Sequence, residues 1–496
     1  MIGFDHVSFS YRAPAAADGT GVEDVSLSVG SGEVVVLCGR SGCGKSTLLR
    51  LAGGLAPRFF PGEVLGSALL DGEAMDGLTT WEIARRAGSL FQNPRTQFFN
   101  VDTTGEVAFA LESAGRPEED IRARVEATFE ELGLRSLAGR NIFQLSGGER
   151  QKVAFASIWA MHPTNLLLDE PTSNLDLPST ADMAEFVKHA KESGCAVLIA
   201  EHRLSWLTGI ADSYVFLENG RLRSVMTAGE FAALEAEEVS RMGLRVRDPD
   251  EIIPRAAAAR EVSTVRDAAP NPLLAARGLT LDRGGVPVLR EVDLDLFAGE
   301  VCALIGSNGA GKTTLCRTLC GFEPKARGTV TIGDATATRK KRTRVSSMVF
   351  QDVNYQLFAE NVAAEVTFGL PRLQAEAVDT DTVLRELALG DVSDRHPATL
   401  SGGQKQRLAV AACVAAGKRI LVFDEPTSGI DLDGMHRVAR LLRRLADQGR
   451  AVLVITHDLE LIACACDRVL HMDGGRITEQ ARVADEFDAI REMMGS

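Results

Sequence analysis

The sequence has no run approaching the ~20 consecutive apolar residues that a membrane-spanning helix needs. Its apolar stretches, such as Val34–Cys38 and Leu166–Leu168, are short and stop at Gly or Asp, so the chain is expected to span no membrane. A basic-then-apolar export leader is also missing, because Met1-Ile2-Gly3-Phe4-Asp5 passes at once into strand-like sequence. That points to the cytoplasm. The nine cysteines include no CxxC pair with metal-ligand spacing. Cys464 and Cys466, as Cys-Ala-Cys, follow a helix-like stretch without His or Cys partners. Reduced, mostly buried thiols are expected. An excess of positive charge is lacking too: the net charge is −14 and the pI about 5.2. Nucleic-acid affinity comes largely from phosphate neutralisation by Lys and Arg, so no nucleic-acid partner is expected. The basic run Arg339-Lys340-Lys341-Arg342 is read as a solvated loop.

What is present fits a soluble globular protein, with 45% hydrophobic and 25% charged residues and a mean hydropathy of +0.01. At 496 residues the chain is too long for one ordinary core. An internal repeat settles the division into two. Gly39–Ser46 returns as Gly306–Thr313, Leu145–Gly148 as Leu400–Gly403, and Leu168–Ser173 as Phe423–Ser428. The offset is 267 at Lys45 and Lys312, 259 at Gln92 and Gln351, and 255 at Ser146/Ser401, Asp169/Asp424 and His202/His457. Extra residues therefore sit early in the first copy, and the later portions are locked in step. Between the copies, Asp248–Asn271 carries Pro249, Pro254, Pro270 and an Ala run with no sustained apolar period, which marks a linker.

Within each copy three apolar runs end on polar residues. Val34–Leu37 or Val301–Ile305 leads through glycines into Lys-Ser/Thr-Thr-Leu; Leu166–Leu168 or Ile420–Phe423 ends on Asp-Glu; Ala196–Ala200 or Ala451–Ile455 ends near His. Strand, turn and helix is the expected order. In open α/β sheets the carboxyl ends of the strands are where ligands bind, so one nucleotide site is expected in each copy.

Gly39-Arg40-Ser41-Gly42-Cys43-Gly44-Lys45-Ser46 and Gly306-Ser307-Asn308-Gly309-Ala310-Gly311-Lys312-Thr313 both fit the P-loop pattern. In that pattern Gly39, Ser41, Gly42 and Gly44, or Gly306, Asn308, Gly309 and Gly311, let backbone N–H groups curl around phosphates. Lys45 and Lys312 reach the β and γ oxygens, Thr47 and Thr314 follow in the same phosphate-facing turn, and Ser46 and Thr313 ligate magnesium. Asp169 and Asp424 end their strands facing the metal, while Glu170 and Glu425 are placed to polarise the attacking water. A lone Asp-Glu pair is usually a solvated helix cap; downstream of a P-loop and after an apolar run it is not.

Leu145-Ser146-Gly147-Gly148-Glu149 and Leu400-Ser401-Gly402-Gly403-Gln404, just upstream of the Asp-Glu strands, resemble the signature motif of the ABC ATPase family. The resemblance covers nearly the whole chain outside the linker. It implies an α/β fold with two P-loop NTPase domains in tandem, residues 1–247 and 272–496 around a linker at 248–271. Each domain is expected to have a mixed α/β core and a helical signature subdomain. It also implies ATP and Mg2+ as ligands and ATP hydrolysis as the activity. A Ser hydroxyl and Gly N–H groups at a helix N-terminus form an anion site, and each copy already owns a P-loop. In the family two such domains sandwich two ATP molecules head to tail. The two halves are thus expected to pair within one chain, Lys45 opposite Ser401-Gly402-Gly403 and Lys312 opposite Ser146-Gly147-Gly148.

By the same resemblance Gln92 and Gln351 look like the glutamines that sense magnesium and couple to a transporter. His202 and His457 look like switch histidines that contact the γ-phosphate, and Asp176 and Asp431 look like the residues that communicate between sites. Neither copy lacks an essential group, which implies two hydrolysing sites. Tyr11 stands where the family stacks an aromatic on adenine; the aligned place near Arg283 has none.

After each glutamine come Asn93-Pro94-Arg95-Thr96-Gln97-Phe98-Phe99 and Asp352-Val353-Asn354-Tyr355-Gln356-Leu357-Phe358, then Glu-Val-Ala-Phe (Glu106–Phe109) and Glu-Val-Thr-Phe (Glu365–Phe368). These segments resemble the ATPase subunits of energy-coupling factor (ECF) importers of vitamins or of cobalt and nickel. That resemblance implies a transmembrane scaffold subunit and a separate substrate-binding membrane protein as partners, at the cytoplasmic face of the membrane. It also implies a docking groove lined by Phe98, Phe99, Leu357 and Phe358. Two alternatives stay open, the ATPase of another ABC importer such as a sugar system and a ribosome-associated twin-ATPase translation factor.

Overall fold

The computed structural model describes residues 1–12, 21–93, 96–173, 175–252 and 271–495. Two compact units divide between Asp248 and Pro249. The expected linker begins with a single tight turn, Pro249–Glu251, and the buried Ile252, both grouped with the second unit. The rest of it, 253–270, lies outside the described residues.

The strands of the first unit are β1 (Ile2–Tyr11), β2 (Val22–Val29), β3 (Val34–Cys38), β4 (Gly62–Leu70), β5 (Glu73–Ala74), β6 (Ala87–Leu90), β7 (Asn165–Asp169), β8 (Ala196–Ala200), β9 (Ser213–Glu218) and β10 (Arg221–Thr227). They form an antiparallel sheet of order β2-β1-β4-β5 and a second sheet of order β10-β9-β3-β8-β7-β6. In the second sheet every pair is parallel except β9 with β10. The central strand β3, Val-Val-Val-Leu-Cys, is buried on both faces, as a parallel strand covered by helices must be. Its β-branched residues fill that place well.

The second unit repeats the plan with β11 (Leu274–Arg283), β12 (Val286–Leu296), β13 (Val301–Ile305), β14 (Arg327–Ile332), β15 (Ala335–Thr336), β16 (Ser346–Val349), β17 (Ile420–Asp424), β18 (Ala451–Ile455), β19 (Arg468–Asp473) and β20 (Arg476–Arg482). Its sheets run β12-β11-β14-β15 and β16-β17-β18-β13-β19-β20. All three apolar runs singled out in each copy are strands, side by side as β3-β8-β7 and β13-β18-β17. Their carboxyl ends therefore share one edge.

Helices after β6 and β16 build the helical part of each unit. In the first they are Thr103–Ser113, Glu118–Glu131 and Gly147–Trp159, whose Leu111, Phe129 and Phe155 join the main core. In the second, Val362–Thr367, Thr380–Glu386 and Gly402–Ala415 enclose a smaller core of their own around Val366, Leu384 and Leu408.

The basic run expected to be a loop is instead the start of a helix, Arg339–Val345. Thr338 caps it, its hydroxyl oxygen accepting the Lys341 N–H at 3.3 Å. The Lys418 ammonium closes the other end on the carbonyls of Thr343 and Arg344, at 2.8 and 3.1 Å. Cys464 lies inside the helix Leu459–Ala465 and Cys466 at its end, rather than beyond it. Eight of the nine cysteines are buried, and Cys464 is half-buried.

Candidate functional site

Each P-loop bridges β3 or β13 to the helix that follows, Lys45–Ala52 or Lys312–Leu319. The turn requires glycine where it leaves the strand. Gly39 and Gly306 sit at φ 140° and 134°, and a Cβ on either would fall 2.3 Å from the Leu217 carbonyl oxygen or 2.0 Å from that of Met472. Gly44 and Gly311, at φ 109° and 104°, cap the helix in the left-handed region, where helix N–H groups stay free for an anion. The Lys45 ammonium donates to the carbonyls of Gly39 (2.8 Å) and Arg40 (3.3 Å). Lys312 repeats the arrangement on Gly306 and, at 2.9 Å, on Ser307. Both lysines are thus folded back over their own loop and aimed at whatever the loop encloses.

The Ser46 hydroxyl donates to Asp169 Oδ1 at 3.0 Å, and the Thr313 hydroxyl to Asp424 Oδ2 at 3.0 Å. One hydroxyl and one carboxylate are the hard oxygen donors that Mg2+ takes from protein when phosphates and water fill the remaining positions. Among the described residues no group of three or more His, Cys, Asp or Glu forms a closed metal cage. The donor set therefore fits a phosphate-bound magnesium ion. Burial raises the pKa of both Asp169 and Asp424, and a cation between carboxylate and phosphate would reverse that.

Glu170 and Glu425 follow their strands at φ 47° and 49°, a conformation that costs a non-glycine residue energy. The next backbone bonds hold the bend, Glu170 N–H to Ala200 O at 2.8 Å and Glu425 N–H to Ile455 O at 2.9 Å. In the first unit Glu170 lies against both Gln92 and His202. Gln92 Nε2 donates to Glu170 Oε2 at 2.6 Å, and His202 Nε2 lies 3.4 Å from Oε1. His457 lies 3.5 Å from Glu425 in the second unit. Burial first, and then the nearby Glu201 and Asp169 carboxylates, push the Glu170 carboxyl up to about 8. Burial and the Lys45 ammonium, whose nitrogen is 3.4 Å from His202 Nε2, hold the imidazole well below its usual range and keep it neutral.

Ser146 and Ser401 cap the helices Gly147–Trp159 and Gly402–Ala415 through capping boxes with Glu149 and Gln404. Each Ser oxygen accepts a helix N–H, at 3.2 and 3.3 Å. A Cβ on Gly148 would meet Ser179 Oγ at 2.3 Å. Asp176 caps the helix Leu177–Glu192, accepting from the Ser179 N–H at 3.1 Å. Tyr11 ends β1, and its hydroxyl lies 3.1 Å from Thr47 Oγ1.

Beyond the glutamines, Phe99 and Phe358 are 73% and 68% exposed, while Phe98 and Leu357 pack partly into the cores. Of the four residues expected to line a docking groove, only Phe99 and Phe358 are therefore exposed. Pro94 and Arg95 lie outside the described residues. Each exposed ring stacks on a second one, Phe99 on Phe109 with centroids 4.8 Å apart and Phe358 on Phe368 at 6.1 Å.

Sequence patterns marked the residues that hold these pairs but not what they do. Glu106 Oε2 accepts the N–H groups of Phe99 (3.0 Å) and Asn100 (2.8 Å); Glu365 Oε2 accepts those of Phe358 (2.8 Å) and Ala359 (2.7 Å). Gln97 and Gln356 stitch the same segments to β6 and β16 through the carbonyls of Ser89 and Met348, at 3.0 and 2.6 Å. The common offset of 259 at all four positions was the available signal. Glu201 was missed. It is buried and accepts from Thr172 Oγ1 (2.9 Å) and from the N–H groups of His202 (2.8 Å) and Arg203 (3.2 Å). Thr456 stands in its place in the second unit, so the repeat gave no hint of it.

The ABC transporter family model matches residues 22–173 and again 289–428. Two proteins, each named "Putative ABC transporter ATP-binding protein", align over almost the full length. One from Treponema denticola is 43% identical over 97% of this chain and 97% of its own. One from Streptomyces avermitilis is 35% identical over 98% of this chain and 94% of its own. A solved complex of an archaeal ribosomal stalk protein with the archaeal ribosome recycling factor aABCE1 superposes with a TM-score of 0.61. It covers 98% of this chain and 92% of that one; at 22% identity the likeness is one of fold. With two P-loops, two signature motifs and a matching family model over each, the chain belongs to the ABC transporter ATP-binding family and is a tandem ATPase that uses ATP with Mg2+.

Proposed function

We propose that this ATPase energises an ECF-type importer of a vitamin or a transition-metal ion. It would work at the cytoplasmic face of the membrane with a transmembrane scaffold subunit and a separate substrate-binding membrane protein. Residues 1–247 and 272–496 act as the two nucleotide-binding domains, joined by 248–271, and two composite ATP sites form between them. The observation that carries the transport reading is the exposed aromatic pair built twice, Phe99 with Phe109 and Phe358 with Phe368, on backbone pinned by a buried glutamate. Rings held out in water on a rigid frame suit an apolar partner element. In the first unit that frame adjoins Gln92, which touches Glu170 directly.

In this reading the P-loop glycines, with Ser41 and Asn308, wrap the phosphates. Lys45 and Lys312 neutralise the β and γ oxygens, and Ser146-Gly147-Gly148 and Ser401-Gly402-Gly403 complete the opposite half's site. Ser46 with Asp169, and Thr313 with Asp424, hold magnesium, which supplies charge neutralisation at the transferring phosphoryl group. Gln92 and Gln351 stand next to that metal. Glu170 and Glu425 orient the attacking water and take its proton when ionised, and the neutral His202 donates toward the γ-phosphate, with His457 at the matching place in the second unit. Thr47 and Thr314 follow the lysines in the phosphate-facing turn, and Tyr11 serves the nucleoside end.

Co-purification of the tagged chain from membranes, with mass spectrometry of its partners, tests the proposal. A polytopic scaffold and a small membrane protein are expected. Recovery of ribosomes, or of no membrane protein, would overturn the transport role and leave the ATPase standing.

A further inference from the structure

The glutamate and the histidine of each unit's reacting edge sit on separate loops, one after β7 or β17 and the other after β8 or β18. A backbone bond joins the loops in both units, Glu170 N–H to Ala200 O at 2.8 Å and Glu425 N–H to Ile455 O at 2.9 Å. The first unit adds a side-chain tie. Glu201, between Ala200 and His202, is 2% exposed. Its Oε1 accepts the N–H groups of His202 (2.8 Å) and Arg203 (3.2 Å), and its Oε2 accepts the Thr172 hydroxyl at 2.9 Å. Thr172 is two residues beyond Glu170, in a turn closed by Ser173 N–H on Glu170 O at 3.2 Å and by Leu175 N–H on Thr172 O at 3.1 Å. One carboxylate thus fastens the loop that bends Glu170 to the turn that carries His202. A glutamate at φ 47° keeps that conformation only where its surroundings over-determine it.

The second unit copies the loop but not the tie. Glu170-Pro171-Thr172-Ser173 returns as Glu425-Pro426-Thr427-Ser428, while Glu201 becomes Thr456. Thr456 Oγ1 accepts the Asp458 N–H at 3.1 Å, which repeats the bond from Glu201 to Arg203. The Thr427 hydroxyl is left over: the residue is 1% exposed, and its Oγ1 has no hydrogen-bond partner among the described residues. Buried hydroxyls are normally satisfied, so an orphan in an otherwise copied turn marks where the carboxylate is lacking. The two edges therefore reach one geometry with different support.

We propose that Glu201 is a positioning residue for ATP hydrolysis, holding Glu170 and His202 together through Thr172, so that this threonine matters to turnover in the first unit and its counterpart Thr427 does not in the second. The inference rests on the ATPase activity and not on the transport reading. Steady-state MgATP hydrolysis by the full chain tests it, with the stoichiometry of ATP binding measured on the same samples. Thr172→Val should lower kcat about tenfold with KM within about twofold, because the phosphate contacts are untouched. Thr172→Ser, which keeps the hydroxyl, should restore most of the turnover. Thr427→Val should leave kcat within about twofold of the unmodified chain. Glu201→Ala should match Thr172→Val, whereas the Glu201→Gln amide can still accept both N–H groups and donate to Thr172, and should retain most of the turnover. Added to Glu170→Gln, Thr172→Val should change turnover by less than about twofold, since its effect runs through Glu170. Equal effects of the two Thr→Val changes would overturn the proposal. So would a kcat that falls only in step with the ATP-binding stoichiometry, which marks lost folded protein, or a further tenfold loss in the Glu170→Gln chain.

Discussion

The hydroxyl–carboxylate and histidine–glutamate contacts of the two units match to within a tenth of an ångström, while their surroundings diverge. Hydroxyl to carboxylate is 3.0 Å in both, and histidine to glutamate is 3.4 Å in one and 3.5 Å in the other. A few residues away, Glu201 faces Thr172 in the first unit where Thr456 stands in the second, and Tyr11 is replaced by Arg283. Charge must be placed to fractions of an ångström to act on a phosphoryl group. The shell around it only has to keep buried polar groups satisfied, and several chemistries can do that.

Removing the P-loop lysines breaks the sameness most severely. Lys45→Ala and Lys312→Ala should each lower steady-state ATP turnover about 100-fold or more, read by phosphate release. Unequal losses would show that the two edges are alike in geometry but not in use.

The difference between the surroundings is sharpened at Glu201. Glu201→Ala leaves a buried hydroxyl and two N–H groups without their acceptor and should cost about 3 kcal/mol in chemical unfolding. Thr456→Ala removes a single acceptor, that of the Asp458 N–H at 3.1 Å, and should cost about 1 kcal/mol. Equal costs would mean that the extra carboxylate is not what organises the first unit.

A smaller and symmetric effect is expected at the aromatic platforms. Glu106→Ala and Glu365→Ala each remove the acceptor of two backbone N–H groups, worth about 2 kcal/mol. Hydrogen exchange at Phe99 and Asn100, or at Phe358 and Ala359, should speed up about 30-fold in the matching variant and not elsewhere. Unchanged exchange would remove the pin.

Much of this was legible before any coordinates, for a physical reason. Wrapping phosphates requires glycines at fixed spacing, and a carboxylate at a strand end needs an apolar run before it, so Gly39–Ser46 and Leu166–Glu170 carry their geometry in local order. The roles of Glu106 and Glu365 were only half visible, since the repeat marks them but the loop amides they hold do not show in a pattern. Glu201 was invisible, because the repeat has Thr456 in its place and its side-chain partner Thr172 is brought to it only by the pairing of β7 with β8. The helix Arg339–Val345 was taken for a loop because four consecutive charges have no apolar period; Thr338, its cap, was the one local sign.

Steady-state MgATP hydrolysis by the full chain carrying Glu170→Gln, compared with the chain carrying Glu425→Gln, tests most directly the claim that two equivalent reacting edges work together. Turnover should fall about 100-fold in each variant, with ATP binding retained. Wild-type turnover in either one would contradict it.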